Sequence, residues 1–139
     1  MDRIFFDSDI ILDLILGREP FFGNATDIFT LVEENNLRGY TSPLIFSNLF
    51  YILRKYKSAK IARQLLVRLK ALLHLVPVDE RIIDLALHSE FRDFEDAIQY
   101  YAALESGIDY LITRNKKDYR ETGCIICTPK EFLAMRKGM

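Results

Sequence analysis

The opening residues constrain the fold more than any other stretch of this 139-residue chain. The three consecutive apolar residues at positions 4–6 lead directly into Asp7. A short apolar run without alternation is typical of a strand that is buried on both faces, as in a parallel sheet. From Ile10 onward the apolar residues follow helical spacing, and Ser8 or Asp9 is available as the N-cap of that helix. We therefore expect Asp7 at the carboxyl end of a central strand, where open α/β sheets bind their ligands.

Strand-like and helix-like segments alternate along the rest of the chain. The predicted order is β-α-α-β-α-α-β-α-α-β-α-β-α. Such alternation indicates the α/β class, with a three-layer α/β/α sandwich around a mostly parallel central sheet of four to five strands. Because a chain of this length can bury about two-thirds of its unfolded surface, we expect residues 1–139 to form a single domain.

The charge of the chain is distributed unevenly. The net charge of −1 favours no particular partner, but residues 35–78 contain no Asp or Glu. The eight cations of this segment are Arg38, Arg54, Lys55, Lys57, Lys60, Arg63, Arg68 and Lys70. They predict one basic surface, which is either a solvated helix face or a surface that follows the phosphates of a nucleic acid.

The cysteines and the apolar runs indicate the cellular compartment of the protein and whether it forms a dimer. Cys124 and Cys127 flank two isoleucines, and we interpret them as small core residues of a buried strand because no second pair lies at a matching spacing. No apolar run reaches the roughly 20 residues of a membrane span, and no secretory leader is evident. These features predict a cytoplasmic protein without membrane contact. The helix predicted over 44–56 is apolar on most sides, which suggests a homodimer.

Three acidic residues are predicted to share one side of the sheet. Asp7 follows the first strand, Asp118 lies shortly after the fourth strand, and Asp96 lies in the first turn of the helix that opens at Asp93. Right-handed crossovers between parallel strands can bring these positions together. Each acid taken singly is equally well explained as a turn or cap residue, so spacing alone leaves the question open.

A cluster of carboxylates requires compensation. Two unit charges about 4 Å apart repel each other by about 4 kcal/mol at an effective dielectric constant of 20. Either a shared proton or a cation must therefore neutralise the group. An all-oxygen site suits Mg²⁺ or Mn²⁺, and such ions activate water for the hydrolysis of phosphodiesters.

Three segments of the chain resemble a known family. They are Ile-Phe-Phe-Asp-Ser-Asp-Ile-Ile-Leu-Asp at 4–13, Asp-Phe-Glu-Asp-Ala-Ile-Gln-Tyr-Tyr-Ala-Ala at 93–103, and Leu-Ile-Thr-Arg-Asn-Lys-Lys-Asp-Tyr at 111–119. In this order they resemble the successive motifs of the PIN-domain family, and the segment 128–133 resembles a bacterial branch of it. The resemblance implies a PIN-like fold and an Mg²⁺- or Mn²⁺-dependent ribonuclease. Many small members are toxins, so it also implies an RNA substrate and an antitoxin partner.

The resemblance assigns roles to individual residues. Asp7 would be the first metal carboxylate, Asp96 the third and Asp118 the fourth. Thr113 and Asn115 would be the polar residues that orient this end of the site. We expect the same three carboxylates to be the catalytic residues.

The second acid of the family pattern is absent from this chain. Asn48 stands at its place, and an amide brings no negative charge. The loss should weaken metal binding, and Asp9, Asp93 or Glu95 could compensate in part. Ser8 would offer its hydroxyl beside Asp7.

Basic residues adjoin the last of these acids. Arg114, Lys116 and Lys117 precede Asp118 and could hold the flanking phosphates of RNA. An equally good interpretation is that they are solvated loop cations.

Two other functions fit the same residues. A PIN fold that lost activity together with its second acid would bind RNA or a protein without cleaving it. Alternatively, Asp7-Ser8-Asp9 after an apolar strand resembles the opening motif of haloacid-dehalogenase-type phosphatases, with Asp7 as nucleophile and Asp9 as general acid. The chain is short for that fold, which also needs a late paired-acid motif, and it contains no Asp-Asp pair.

Overall fold

A computed structural model describes residues 1–119 and 123–138 of the chain. Within them lies one five-stranded sheet in the order β3-β2-β1-β4-β5, and every neighbouring pair of strands is parallel. The strands are β1 (Arg3–Phe6), β2 (Arg38–Thr41), β3 (Leu73–Leu75), β4 (Tyr110–Ile112) and β5 (Ile125–Cys127). The predicted α/β/α architecture with a parallel sheet is confirmed.

Helices flank this sheet and follow the predicted order. They are α1 (Ser8–Leu16), α2 (Phe22–Glu33), α3 (Pro43–Tyr56), α4 (Ala59–Leu72), α5 (Glu80–Leu87), α6 (Phe94–Glu105) and α7 (Pro129–Lys137). A 3-10 turn, Lys116–Asp118, follows β4. Five of the helices begin at residues whose side chains cap them, namely Ser42, Ser58, Asp79, Asp93 and Thr128. Such caps satisfy N–H groups that the first helical turn leaves free.

Strand β1 is the centre of the sheet and of the core. Its residues Ile4, Phe5 and Phe6 are fully buried, as the unalternating apolar run predicts. Since β1 lies between β2 and β4, its carboxyl end adjoins the ends of both neighbours. This arrangement places Asp7 beside the segment that follows β4.

Three local predictions are wrong. Neither Ser8 nor Asp9 caps α1; Asp7 does, because its extended backbone lets its carboxylate accept a hydrogen bond from the Ser8 N–H at 2.8 Å. The apolar spacing after Asp79 predicts that Leu87 faces inward, but Leu87 is 62% exposed at the end of α5. Helical spacing puts Tyr100 on one stripe with Asp93 and Asp96 and predicts that this stripe lines a cleft, but Tyr100 lies in the core and its hydroxyl accepts a hydrogen bond from the Gly123 N–H at 2.7 Å.

Helix α3 is less buried than its composition suggests. One stripe, formed by Ile45, Leu49 and Leu53, is buried, whereas Tyr51 and Tyr56 are exposed. Helix α4 packs against α3 and covers part of the remaining apolar surface. The homodimer stays a prediction.

The cysteines lie where the sequence predicts. Cys124 and Cys127 are free and buried, and burial raises the pKa of these thiols to about 11 and about 12. Neither thiol is therefore a reactive thiolate at neutral pH. Among the described residues, no helix combines the length and the hydropathy needed to cross a membrane.

Candidate functional site

Asp7 is held at the junction of β1 and β4. Its backbone N–H donates to the Ile112 carbonyl at 3.0 Å, which joins it to the end of β4. Its carboxylate accepts hydrogen bonds from the Ser8 N–H at 2.8 Å, the Thr113 hydroxyl at 2.9 Å and the Tyr119 hydroxyl at 3.2 Å. Burial raises the pKa of Asp7, and the three hydrogen bonds oppose that rise. The donors thus fix the orientation of the carboxylate without neutralising it.

Asp96 shares a cavity with Asp118. It lies in the first turn of α6, where its N–H donates to the capping carboxylate of Asp93 at 2.9 Å. Asp96 and Asp118 line a cavity of about 470 Å³. Burial, followed by the charges of Asp93, Asp7 and Asp118, raises the pKa of Asp96 to about 7. Asp7, Asp96 and Asp118 lie in one region, because the charges of all three act on the Tyr119 hydroxyl, which donates a hydrogen bond to Asp7.

The cavity has an excess of acidic side chains. Its charged lining consists of the acids Glu90, Asp93, Asp96 and Asp118 and the cations Arg92 and Lys117. None of the ion pairs found within residues 1–119 and 123–138 involves any of these six. The negative charge at this end of the sheet therefore has no ion-pair partner in the part of the chain that the structure describes.

Tyr119 is a residue of the site that sequence reasoning missed. Its buried hydroxyl donates to Asp7 and lies close enough to Asp96 to lower the pKa of that carboxyl. Burial and the neighbouring charges of Asp7 and Asp96 strongly raise the pKa of Tyr119, so it remains a neutral donor. Its position directly after Asp118 was the available signal, but sequence spacing does not show that the ring turns inward.

The segment after β4 is anchored to α1 at three successive residues. The pairs are Thr113 with Asp7 at 2.9 Å, Arg114 with Asp13 at 3.1 Å, and Asn115 with Asp9 at 3.1 Å. The Asn115 N–H also donates to the Thr113 hydroxyl at 3.1 Å. These contacts fix the start of the turn that carries Lys117 and Asp118 to the cavity.

Asp13 was also missed by the sequence analysis. It is fully buried and forms ion pairs with Arg114 at 3.1 Å and Arg18 at 3.5 Å, neither of which is aligned as a hydrogen bond. The Arg114 guanidinium stacks on the Phe21 ring, 4.0 Å from its centroid. Burial raises the pKa of Asp13, and the two guanidinium groups oppose that rise. A carboxylate on the inward side of α1 was the signal, since a buried charge requires a partner.

The remaining predicted residues take different positions. Asn48 donates to Glu95 at 3.3 Å, one residue before Asp96, and so lies near the start of α6. Ser8 reaches Asp7 through its backbone N–H. Asp93 caps α6 and lines the cavity.

The three predicted RNA-binding cations also differ from one another. Arg114 contacts Asp13 and Phe21, and Lys116 pairs with Glu131 at 2.9 Å. Lys117 alone among the three lines the cavity. Of these three predicted cations, Lys117 is the one that can meet a ligand in the cavity.

The donor atoms around the cavity suit a hard divalent cation. Among the described residues, no three His, Cys, Asp or Glu side chains stand close enough to form a complete set of protein ligands. The donors near the cavity are oxygen atoms with uncompensated negative charge. This set fits Mg²⁺ or Mn²⁺, because Mg²⁺ in particular binds through one or two carboxylates and keeps several waters.

The chain is similar to known proteins over nearly its whole length. A family model described as "PIN domain" matches residues 3–117. Ribonuclease VapC1 of Aquifex aeolicus (strain VF5) is 23% identical over 136 residues, which are 94% of this chain and 93% of the relative.

Solved structures share the fold. A toxin-antitoxin complex from Klebsiella pneumoniae contains a chain with a TM-score of 0.68 and 24% identity, over 91% of this chain and 97% of that one. The sarcin-ricin loop cleaving toxin VapC20 of Mycobacterium tuberculosis has a TM-score of 0.61 and 18% identity, over 78% and 86%.

These similarities decide between the folds considered from the sequence. They favour the PIN fold and give no support to the haloacid-dehalogenase alternative. Because the family model spans most of the sequence and includes β1, α6 and the start of the segment after β4, this chain belongs to the PIN-domain family.

Proposed function

We propose that this protein is a metal-dependent endoribonuclease, the toxin of a toxin–antitoxin pair, which cleaves phosphodiester bonds of RNA. The observation that carries the proposal is the group of Asp7, Asp96 and Asp118, which lie around the Tyr119 hydroxyl and form no ion pair with a cation among the described residues. The Aquifex relative is named a ribonuclease, and VapC20 is described as a toxin that cleaves the sarcin-ricin loop. Both descriptions support RNA as the substrate.

The residues of the site have separate tasks in this proposal. Asp7, Asp96 and Asp118 would hold Mg²⁺ or Mn²⁺, one or two of them directly and the rest through the ion's waters, and the ion would supply a Lewis acid and an activated water for attack on phosphorus. Thr113 and Tyr119 keep the Asp7 carboxylate in one orientation. Lys117 lines the cavity and is placed to contact a non-bridging phosphate oxygen. Positioning of this kind lowers the barrier because no group must reorganise during the reaction.

A cleavage assay tests the proposal. Total RNA and transfer RNA are incubated with wild-type protein in Mg²⁺ or Mn²⁺ and, separately, in excess chelator. We expect cleavage only with the ion, and a loss of about a hundredfold or more in Asp96→Asn. Asp27→Asn, a change of the same type at an exposed position of α2, serves as the matched control. Full cleavage in chelator, or by Asp96→Asn, contradicts the proposal.

A second candidate is a PIN fold that binds RNA or protein without cleaving. Asn48 favours it, because this residue replaces an acid and forms a hydrogen bond with Glu95. The two candidates differ in metal binding, which raises the midpoint of thermal unfolding when it favours the native state. No shift of the midpoint in millimolar Mn²⁺ supports the binding module, and a clear shift supports the nuclease.

The proposed function also implies a protein partner and a cellular location. The Klebsiella neighbour comes from a toxin-antitoxin complex, so we propose an antitoxin as the protein partner and the cytoplasm as the location. Expression in a bacterial host should arrest growth, and co-expression of the adjacent gene product should restore it. A homodimer, suggested by the apolar composition of α3, is tested by the mass in solution at micromolar concentration.

A further inference from the structure

Helices α3 and α4 carry a concentration of cations without acidic partners. Seven exposed cations lie on or beside these helices: Arg54, Lys55, Lys57, Lys60, Arg63, Arg68 and Lys70. No ion pair found in the described part of the chain uses any of them. We call the exposed side of α3 and α4 the basic face. Its charge is available to an anionic ligand.

Aromatic rings lie among these cations. Tyr51 is 53% exposed, which is unusual for a ring with no role in the core. The Arg54 guanidinium carbon lies 5.2 Å from the centroid of the Tyr51 ring, and that of Arg63 lies 5.3 Å from the centroid of the Phe50 ring. These cation–π contacts hold the guanidinium groups in place. Exposed rings beside ordered cations are the combination that single-stranded nucleic acids require, because bases stack on rings and phosphates contact cations.

The basic face begins at the rim of the candidate site. Asn48 on α3 donates to Glu95, which directly precedes Asp96. Asn48, Tyr51 and Lys55 follow one another at i, i+3 and i+7, so they lie on one side of α3. This row is about 10 Å long at 1.5 Å per residue. Tyr51 and Lys55 therefore lie on the side of α3 that carries Asn48, whose side chain contacts the start of α6 next to Asp96.

We propose that the basic face binds single-stranded RNA on one side of the cleavage site. In this arrangement Tyr51 stacks on a base, and Arg54, Lys55 and Arg63 contact phosphates. RNA fits better than an acidic protein segment, because carboxylates would use the cations but would leave the exposed ring without a partner. The proposal deepens the proposed function and rests on it for the identity of the ligand.

The test measures RNA binding separately from cleavage. The full chain is titrated against a labelled single-stranded RNA of about 12 nucleotides, in chelator and at several salt concentrations, with fluorescence anisotropy as the readout. In the triple variant Arg54→Gln, Lys55→Gln, Arg63→Gln, the slope of log K against log salt should decrease in magnitude by about 2, at about 0.7 for each phosphate contact. Tyr51→Ala should weaken binding about tenfold, and Tyr51→Phe should retain it.

A matched control distinguishes the effect of the basic face on RNA binding from the effect of net charge. The triple variant Lys130→Gln, Arg136→Gln, Lys137→Gln on α7 changes the net charge by the same amount and should keep the wild-type salt slope. Equal slopes in the two triple variants would overturn the proposal. So would competition by polyglutamate as strong as that by RNA, which indicates an acidic protein ligand, or a lower mass of Tyr51→Ala in sedimentation, which indicates a second copy of the chain. RNA binding without cleavage in any metal would remove the nuclease function but leave the binding surface.

Discussion

Asp7 and Asp13 belong to the same strand–helix unit, yet their carboxylates have different kinds of partner. Asp13 is fully buried and lies between the guanidinium groups of Arg18 and Arg114. Asp7 is partly buried and accepts hydrogen bonds from uncharged donors only, which include Thr113 and Tyr119. One carboxylate is neutralised within the fold, and the other is not.

The difference separates a structural carboxylate, Asp13, from Asp7, the carboxylate that we propose as a metal ligand. The acids of the neighbouring cavity resemble Asp7 in this respect, although the cations Arg92 and Lys117 line the same cavity. Neither forms an ion pair with the acids there among the described residues. Buried charges without partners are costly, so a fold retains them where another component supplies the counter-charge. Substitutions at four positions can break or sharpen this distinction.

The largest effect is expected for Asp7→Asn. Asparagine can still cap α1 and accept hydrogen bonds, but it removes the negative charge. We expect the rate of RNA cleavage in saturating Mn²⁺ to fall by about a thousandfold, or about 4 kcal/mol, while the thermal midpoint stays equal or rises. Initial rates and thermal unfolding measure the two quantities. A variant with nearly full activity would show that the charge of Asp7 has no role in the reaction.

The second largest effect is expected for Asp13→Asn. It leaves Arg18 and Arg114 without their counter-charge, and we expect the free energy of unfolding to fall by about 3 kcal/mol. This value is the lower end of the roughly 3 to 5 kcal/mol that the loss of one partner of a buried ion pair costs. We use the lower end because the side chains of Arg18 and Arg114 are 37% and 25% exposed. Chemical denaturation gives the value, and the exposed Asp27→Asn should stay within about 0.5 kcal/mol of wild type. Unchanged stability would contradict the structural assignment of Asp13.

The third effect is a pH dependence in the absence of metal. The pKa of Asp96 is raised to about 7 in the folded state, so the folded state retains a proton that the unfolded state has lost. The stability that this group contributes is complete below pH 4 and is lost as the pH rises through 7. Compared with wild type, Asp96→Asn should therefore become relatively more stable between pH 4 and 8, by about 1 to 2 kcal/mol after solvent screening. If the free energy of unfolding of wild type and of Asp96→Asn changed equally with pH, the pKa of Asp96 would not be raised by burial and by the charges of Asp93, Asp7 and Asp118.

The smallest effect is expected for Asn48→Asp. The substitution adds one negative charge beside Glu95, near the start of α6. At about 1 kcal/mol for a solvated pair of charges, Mn²⁺ affinity should rise about fivefold. Titration of the thermal midpoint with Mn²⁺ measures this affinity, and Asn48→Ser controls for loss of the hydrogen bond. An unchanged affinity would place residue 48 outside the metal environment.

The fold could be predicted because its signals are local. The apolar run before Asp7, the cap and proline at Ser42 and Pro43, and the capping box at Thr128 each specify an element from a few neighbouring residues. Parallel pairing then follows from the alternation of strands and helices. The predicted N-cap of α1 was wrong for the same reason, since Asp7, Ser8 and Asp9 are all good caps and only backbone geometry separates them.

The site could be predicted only in part because its contacts are distant in sequence. Its acids were identified from their places after strands and at a helix start. The partner of Asp7 at Tyr119 and the partner of Asp13 at Arg114 lie more than a hundred residues away, and no periodicity reports such pairs. Residues 120 and 121, the end of the predicted polar turn, lie outside the described residues.

The anchoring of residues 113–115 to α1 has a consequence for the synthesis of the protein. Asp7 and Thr113 are separated by 106 positions. At about 5 to 20 residues per second, the ribosome needs about 5 to 20 s to add Thr113 after Asp7. During that interval the nascent chain has the first carboxylate but not the groups that orient it. The site that we propose for metal binding therefore cannot be complete until the polypeptide is nearly finished.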